Sequence, residues 1–426
     1  MKERAEESRD ADHGAWRRVS RRRFLGSVAL LPAAFAHTTQ RSRPILPSRA
    51  AAAHATPLSA EFMKSLPQLM EQSNVPGLAV AMIRDGAVEW ARGFGVKKAG
   101  TTDAVTPDTV FGAASLGKAV FAYAVLRMRD ERLIDLDRPL KEYLAAFDLP
   151  DDPRSAQVTA RRVLSHTTGW QNWRNGKDER LIFDFAPGER FNYSGEGYFY
   201  LQRVVEQITG RGFEGYMRER VLLPLGMTHS SYTWLPEYDA TLSSGHDERG
   251  RPSPAWSARL APKLVKLAAQ WNKPLADWRY EDMVRAMPEI NAQIPVLPNY
   301  MVPNCAGTLL TTVREYAQFM TRVTNGARHD SVSLAEATRR EMLTPQVRLN
   351  TALDWGLGWG LERAEGREYF WHWGDNGTFK NFAMGDPLRR TGVVVFTNGS
   401  NGHKVWERIV AQATGRDHAS FLWWMV

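Results

Sequence analysis

A chain of 426 residues that is 43% hydrophobic and 24% charged can bury a sizeable core, which excludes a disordered or fibrous protein and predicts one large domain or two packed closely together. Its formal charge is +8, and after the first 36 residues the basic side chains are scattered rather than gathered into blocks interleaved with aromatics, which argues against a nucleic-acid partner. The single cysteine, Cys305, excludes an internal disulfide and reads as a small buried hydrophobe.

Residues 1–36 read as an export signal. Ser20-Arg21-Arg22-Arg23-Phe24-Leu25 is a twin-arginine pattern, an apolar run follows from Leu25 to Leu31, and Ala34-Phe35-Ala36 has the small residues of a cleavage site. A basic tail is the competing reading. The apolar run is too short to span a bilayer as a stable helix, so the expected location is periplasmic or secreted. Cleavage would remove eight basic and five acidic residues and leave a charge of about +5. Residues 37–57, rich in Ala, Arg, Pro and Ser, read as a linker, and the ordered domain is expected over 58–426.

Within that domain, Ser59–Gln72 has apolar residues at helical spacing, interrupted by Pro67. Pro76–Ile83 and Ala87–Phe94 are β-rich runs joined through Asp85-Gly86, a pair suited to a tight hairpin turn. A helix is expected from Ser115 to about Asp130. Helical spacing recurs at Ala160–Leu164, Gly197–Ile208, Phe213–Leu223, Val313–Val323 and Leu334–Met342. Tyr232–Pro303 is irregular, rich in proline and aromatics, and reads as a cover over an active site. Strands return at Leu357–Ala364, Tyr369–Trp373, Phe379–Met384 and Gly392–Thr397, followed by a helix over Lys404–Ala413. This pattern predicts an α+β fold: an antiparallel sheet flanked by helices, contributed by about 58–120 and 347–426, with a mostly helical insertion over about 121–346.

The chemistry centres on Phe111-Gly112-Ala113-Ala114-Ser115-Leu116-Gly117-Lys118, which holds the chain's only Ser-x-x-Lys. Residues three apart on a helix share a face with Cβ atoms about 5–6 Å apart, so the Lys118 amine can reach the Ser115 hydroxyl. A serine hydroxyl becomes a useful nucleophile when a nearby base takes its proton, and burial lowers a lysine pKa enough for that task. The start of the helix also turns free N–H groups toward developing negative charge. Tyr193, in Phe191-Asn192-Tyr193-Ser194-Gly195, precedes another helix. Beside a lysine ammonium it could lose its proton and act as the base; alone it reads as a packing aromatic. His372-Trp373-Gly374-Asp375 ends a strand, where Gly374 would let an acyl group approach the edge and the next backbone N–H would face an oxyanion. His372 could equally be a structural hydrogen-bonder or half of a Ser-His pair.

In this order and spacing, Ser115-Leu116-Gly117-Lys118, Tyr193-Ser194-Gly195 and His372-Trp373-Gly374 resemble the three motifs of class C serine β-lactamases, penicillin-binding DD-peptidases and family VIII carboxylesterases. Leu164-Ser165-His166-Thr167-Thr168-Gly169, Gly356-Leu357-Gly358-Trp359-Gly360 and Val395-Phe396-Thr397-Asn398-Gly399 extend the resemblance, which covers about Leu58 to Ala413. It implies a β-lactamase/transpeptidase-like fold, acylation of Ser115 with Lys118 and Tyr193 handling its proton, and an oxyanion hole from the backbone N–H groups of Ser115 and Asp375. It also implies no cofactor or metal. His372 would stand where many members carry the lysine of Lys-Thr-Gly. The chain departs from the β-lactamases in having Gly195 in place of an asparagine, and His-Trp-Gly-Asp in place of the carboxylate-receiving Lys-Thr-Gly region.

The resulting expectation is an exported serine hydrolase acting on small-molecule esters, amides or lactams, with ester hydrolysis foremost. A class C-like β-lactamase or a DD-peptidase or D-amino-acid amidase is the alternative, and a non-catalytic binding protein on the same scaffold a further one. An α/β-hydrolase is disfavoured because no Gly-x-Ser-x-Gly occurs and Ala113-Ala114-Ser115-Leu116-Gly117 is a near miss read as lacking the strand-turn-helix setting. The ten histidines contain no His-Glu-x-x-His, which argues against a metalloenzyme.

Overall fold

The computed structural model describes residues 58–425 apart from 146–148, 177–178, 255, 326–329 and 331. The expected signal and linker lie outside the described residues. Ten strands occur within them: β1 (Gly77–Arg84), β2 (Ala87–Gly95), β3 (Val110–Ala114), β4 (Leu309–Thr312), β5 (Val347–Arg348), β6 (Leu353–Trp355), β7 (Gly360–Ala364), β8 (Arg367–Asp375), β9 (Lys380–Asp386) and β10 (Thr391–Thr397). Eight of them form one antiparallel sheet in the order β2-β1-β10-β9-β8-β7-β6-β5, and β3 pairs with β4 in a second, two-stranded sheet. The first hairpin turns on Asp85 and Gly86, both with positive φ (50° and 74°), the backbone that favours Asp-Gly in a two-residue loop. The run expected as one strand over 357–364 is instead split, because Gly356-Leu357-Gly358-Trp359 makes a turn, with Gly358 at φ 88°, between β6 and β7.

The helices are α1 (Ala60–Gln72), α2 (Gly117–Asp130), α3 (Ala160–Leu164), α4 (Gly195–Thr209), α5 (Phe213–Met217), α6 (Tyr238–Thr241), α7 (Trp256–Gln270), α8 (Tyr280–Asn291), α9 (Val313–Thr324), α10 (Glu336–Met342) and α11 (His403–Thr414). Strand alternation sends Leu78, Val80, Met82, Trp371, Phe382, Val393 and Val395 to one face of the large sheet, where Leu66 and Met70 of α1 and Val405, Trp406 and Ile409 of α11 cover them. Ala79, Ala81, Ile83, Phe370, Ala383, Val394 and Phe396 point the other way, into a core with α2, α4 and α9. Helix α2 is buried all round from Gly117 to Met128, which makes it the central helix on that side of the sheet.

The irregular stretch 232–303 holds the single-turn α6 and two longer helices, α7 and α8, which run through Pro262 and Pro288 and close a small core of their own around Trp278, Met283, Met287 and Phe199. Among the described residues no helix is long and apolar enough to cross a membrane.

Candidate active site

Ser115 lies in the turn between β3 and α2. Ala114, the last residue of β3, has φ 51°, a left-handed conformation that costs a non-glycine residue of order 1 kcal/mol and reverses the chain sharply at the serine. The segment is a strand-turn-helix, but β3 belongs to a two-stranded antiparallel sheet apart from the main one, which is not the kind that carries an α/β-hydrolase nucleophile elbow. Helix α2 begins without a side-chain cap at Leu116, and the Leu116 and Lys118 N–H groups are taken by the Ala113 and Ser115 carbonyls at 3.2 and 3.0 Å. Tyr232 and Tyr316 donate from their hydroxyls to the carbonyls of Gly117 and Leu116, at 2.8 and 3.1 Å, and fix the end of the turn.

Lys118 is fully sequestered, its Nζ 3.0 Å from Ser115 Oγ and 2.7 Å from the Ala306 carbonyl. Among the described residues it has no carboxylate partner; the aromatic rings of Tyr193, Tyr198 and Trp173 lie 4.7, 5.8 and 6.0 Å from Nζ. Burial lowers its pKa from 10.5 to about 7, with the neighbouring Cys305 pulling weakly the other way. The effect on Tyr193 is the reverse of the sequence expectation. Burial raises the pKa of its hydroxyl, and the nearby Ser115 hydroxyl offsets this only in part. The Tyr193 hydroxyl makes no hydrogen bond of ordinary geometry among the described residues. The lysine, and not the tyrosine, is thus the group prepared to take a proton near neutral pH.

Tyr193 is held by its neighbours. The His166 ring stacks on it at 4.2 Å between centroids, and His166 Nδ1 accepts the Ser194 N–H at 3.0 Å, which places the imidazole proton on Nε2. Trp373 packs on Tyr193 at 5.1 Å. His372 is fully buried, its ring 6.4 Å from that of Tyr193, and it does not line the cleft as expected of a residue in the lysine's place. Its Nδ1 meets the Trp373 carbonyl at 2.7 Å, and burial, then the charge of Lys118, lowers its pKa to about 3.

A Cβ on Gly374 would lie 2.2 Å from the Ala113 carbonyl, so this glycine lets β8 lie directly against β3. A Cβ on Gly195 would lie 2.1–2.4 Å from the Trp173 indole, which fills the space a larger side chain would need. Asp375 lines the cleft, but its carboxylate accepts the Gly377 N–H and pairs with Lys380 at 2.5 Å.

Ser115 opens onto a cleft of about 320 Å³ shared with Trp173, Asn299, Tyr300, Asn304 and Asp375. Sequence reading missed Ala306, Asn299, Tyr300 and Asn304. Ala306 acts through its backbone carbonyl, which no side-chain motif can reveal, and the other three come from the end of the irregular stretch and the residue just after it. Among the tryptophans near these motifs, Trp173 lines the cleft, Trp373 is half-buried, and Trp170, Trp355 and Trp359 are core. Cys305 is buried, as its apolar reading required. Among the described residues no cluster of His, Cys, Asp and Glu could hold a metal ion.

A serine at a strand-helix turn with a buried lysine against its hydroxyl, beside an antiparallel sheet flanked by helices, defines a serine hydrolase of the acyl-enzyme type. The family model described as Beta-lactamase matches residues 62–413. The chain belongs to the β-lactamase family. It is 27% identical to "Penicillin-binding protein 4" of Amycolatopsis lactamdurans over 361 residues, which span 80% of this chain and 85% of that one. Its fold is similar to the D-alanine carboxypeptidase AmpC from Burkholderia cenocepacia, with TM-score 0.63, 17% identity, and 83% of this chain and 97% of that one covered. It is also similar to the octameric penicillin-binding protein homologue from Pyrococcus abyssi, with TM-score 0.64, 21% identity, and coverage of 84% and 77%.

Proposed function

We propose that this chain is a carboxylesterase for small esters, working through an acyl-enzyme on Ser115. The observation that carries the proposal is the 3.0 Å contact between Ser115 Oγ, which opens onto the cleft, and the buried, neutral-prone amine of Lys118. Lys118 takes the serine proton as Oγ attacks the ester carbonyl, and the N–H groups of Ser115 and Asp375 receive the oxyanion. The ammonium so formed is stabilised by the Tyr193 ring 4.7 Å away. Collapse of the tetrahedral intermediate expels the alcohol, which takes that proton from Lys118. Water then gives a proton to Lys118 and its oxygen to the acyl carbon, the carboxylic acid leaves, and the proton returns to Ser115.

Two features favour esters over β-lactams. The indole of Trp173 occupies the space beside Gly195 where an amide-recognising side chain would stand. Lys380, the cation beside Asp375, is already engaged by that carboxylate and is not free to receive a ring carboxylate. Each lost charge-assisted contact corresponds to about 1.5–3 kcal/mol, roughly ten- to a hundredfold in rate if it tightens in the transition state. The expected result is a kcat/KM for a short-chain aryl ester that exceeds that for a chromogenic cephalosporin by several orders of magnitude and vanishes in Ser115→Ala. Cephalosporin turnover equal to the ester rate would instead favour the β-lactamase reading, and D-alanyl peptide turnover above both would favour a peptidase, the activity named for the Burkholderia protein.

Export by the twin-arginine route is part of the same proposal and rests on the sequence around Arg21 and Arg22. With both replaced by lysine, the full-length protein should stay in the cytoplasm, and the exported form should begin near His37. Fractionation and N-terminal sequencing check this; unchanged export of the double variant removes it.

A further inference from the structure

The ester reading leaves open which acyl groups the cleft admits, and the surroundings of Trp173 bear on this. Trp173 lines the same cleft as Ser115. Its indole lies over Gly195 so closely that even a methyl group there would meet ring atoms Cζ2, Cε2 and Cη2 at 2.1–2.4 Å. The ring is locked from both sides along the chain. Asn172, just before it, accepts the Gly195 N–H through Oδ1 at 2.9 Å and the Glu196 N–H through its carbonyl at 2.9 Å. Arg174, just after it, forms a buried ion pair with Glu196 at 2.9 Å. Asn175 accepts a hydrogen bond from Asn299 at 2.8 Å, which ties the Trp173 loop to another wall of the cleft. A half-buried indole held by its own loop, by the start of α4 and by the Asn299 loop forms a fixed wall rather than a swinging flap.

Resting on the acyl-enzyme reading above, we infer that Trp173 is the specificity-determining residue of the cleft: its indole closes the side bounded by Gly195 and limits acyl groups on Ser115 to those unbranched next to the carbonyl. A straight acyl chain can lie along the indole face, where apolar contact is favourable. A substituent on the carbon beside the carbonyl, such as an acylamino group, needs volume that the ring already fills.

The test compares 4-nitrophenyl butyrate with the 4-nitrophenyl ester of N-acetylalanine in the wild type and in Trp173→Ala, Trp173→Phe, Gly195→Ala and the double variant Trp173→Ala/Gly195→Ala. The kcat/KM ratio of the branched to the straight ester should rise about tenfold or more in Trp173→Ala and by less, in the same direction, in Trp173→Phe. Gly195→Ala, which must push the indole aside, should change kcat/KM for butyrate by several-fold when Trp173 is present and by less than twofold when it is absent. Trp173→Phe keeps a packed ring and so reads the effect even if Trp173→Ala folds poorly. A ratio unchanged in both Trp173 variants, or a Gly195→Ala effect of equal size in both backgrounds, overturns the inference. A Ser115→Ala control in each background separates the two readings: turnover that survives it refutes the acyl-enzyme on Ser115, whereas Ser115-dependent turnover with an unchanged ratio refutes only the role of Trp173.

Discussion

Replacing Lys118 by methionine is expected to lower ester kcat/KM by about 10²–10⁴-fold, the range of a lost general base, and at the same time to make the protein more stable. The two effects have one cause. Burial lowers the Lys118 pKa from 10.5 to about 7, which corresponds to roughly 5 kcal/mol of cost at neutral pH for holding an amine away from water. Methionine removes that cost but takes from the Ala306 carbonyl its 2.7 Å donor, a loss of about 1–3 kcal/mol, so a net gain of about 2–4 kcal/mol is expected. The sign in pH follows from the direction of the shift. Between about 7 and 10.5 the unfolded chain binds more protons at this site than the folded one, so stability rises with pH across that window; below about 7 the penalty is complete. Activity runs the same way for a different reason, since the neutral amine is the base. The kcat/KM profile should climb with pH through about 7 and then level off. Tyr193→Phe should lower the plateau and leave the limb near 7, because the raised tyrosine pKa keeps its hydroxyl protonated throughout. A limb that disappears in Tyr193→Phe and persists in Lys118→Met would transfer the base role to the tyrosine.

The contrast between the two groups also shows where sequence reasoning reached its limit. Spacing alone brought Ser115 and Lys118 onto one helical face, and that contact is formed. Spacing could not say which of Lys118 and Tyr193 would give up or take a proton, because that depends on how completely each is buried and on what replaces water around it. The large sheet was legible for a similar reason: the Asp85-Gly86 turn and the short continuous apolar runs near the C-terminus are local signals. The pair β3 and β4 was not, since four- and five-residue strands from distant parts of the chain carry no periodicity of their own and β4 becomes a strand only by pairing with β3. Helices α7 and α8 were obscured by Pro262 and Pro288, which ordinarily argue for a break. Gly195 and Gly374 stood out as departures or motif positions, yet what they make room for, an indole and a backbone carbonyl, is a tertiary fact.

The largest loss of stability at the site is expected from Glu196→Ala. Glu196 follows Gly195 in the first turn of α4, where the helix N-terminus favours a carboxylate. Its side chain is 2% exposed and that of its partner Arg174 is 7% exposed, so neither charge has water to fall back on. One carboxylate oxygen takes the Arg174 guanidinium at 2.9 Å and the other the Arg174 backbone N–H at 2.9 Å, so a single side chain holds both the head and the backbone of the residue after Trp173. Removing one member of a buried pair takes from the other the counter-ion it was buried with and typically costs about 3–5 kcal/mol, whereas removing both with apolar groups of similar volume costs far less. Urea unfolding should therefore show Glu196→Ala destabilised by about that amount and Arg174→Met/Glu196→Met recovering most of the difference. Both variants leave the backbone N–H of residue 174 without the Glu196 carboxylate, so the double variant should still stay about 1–3 kcal/mol below the wild type. A loss under about 1 kcal/mol in Glu196→Ala would mean that water or another group reaches Arg174, and that the loop carrying Trp173 is not locked by this pair.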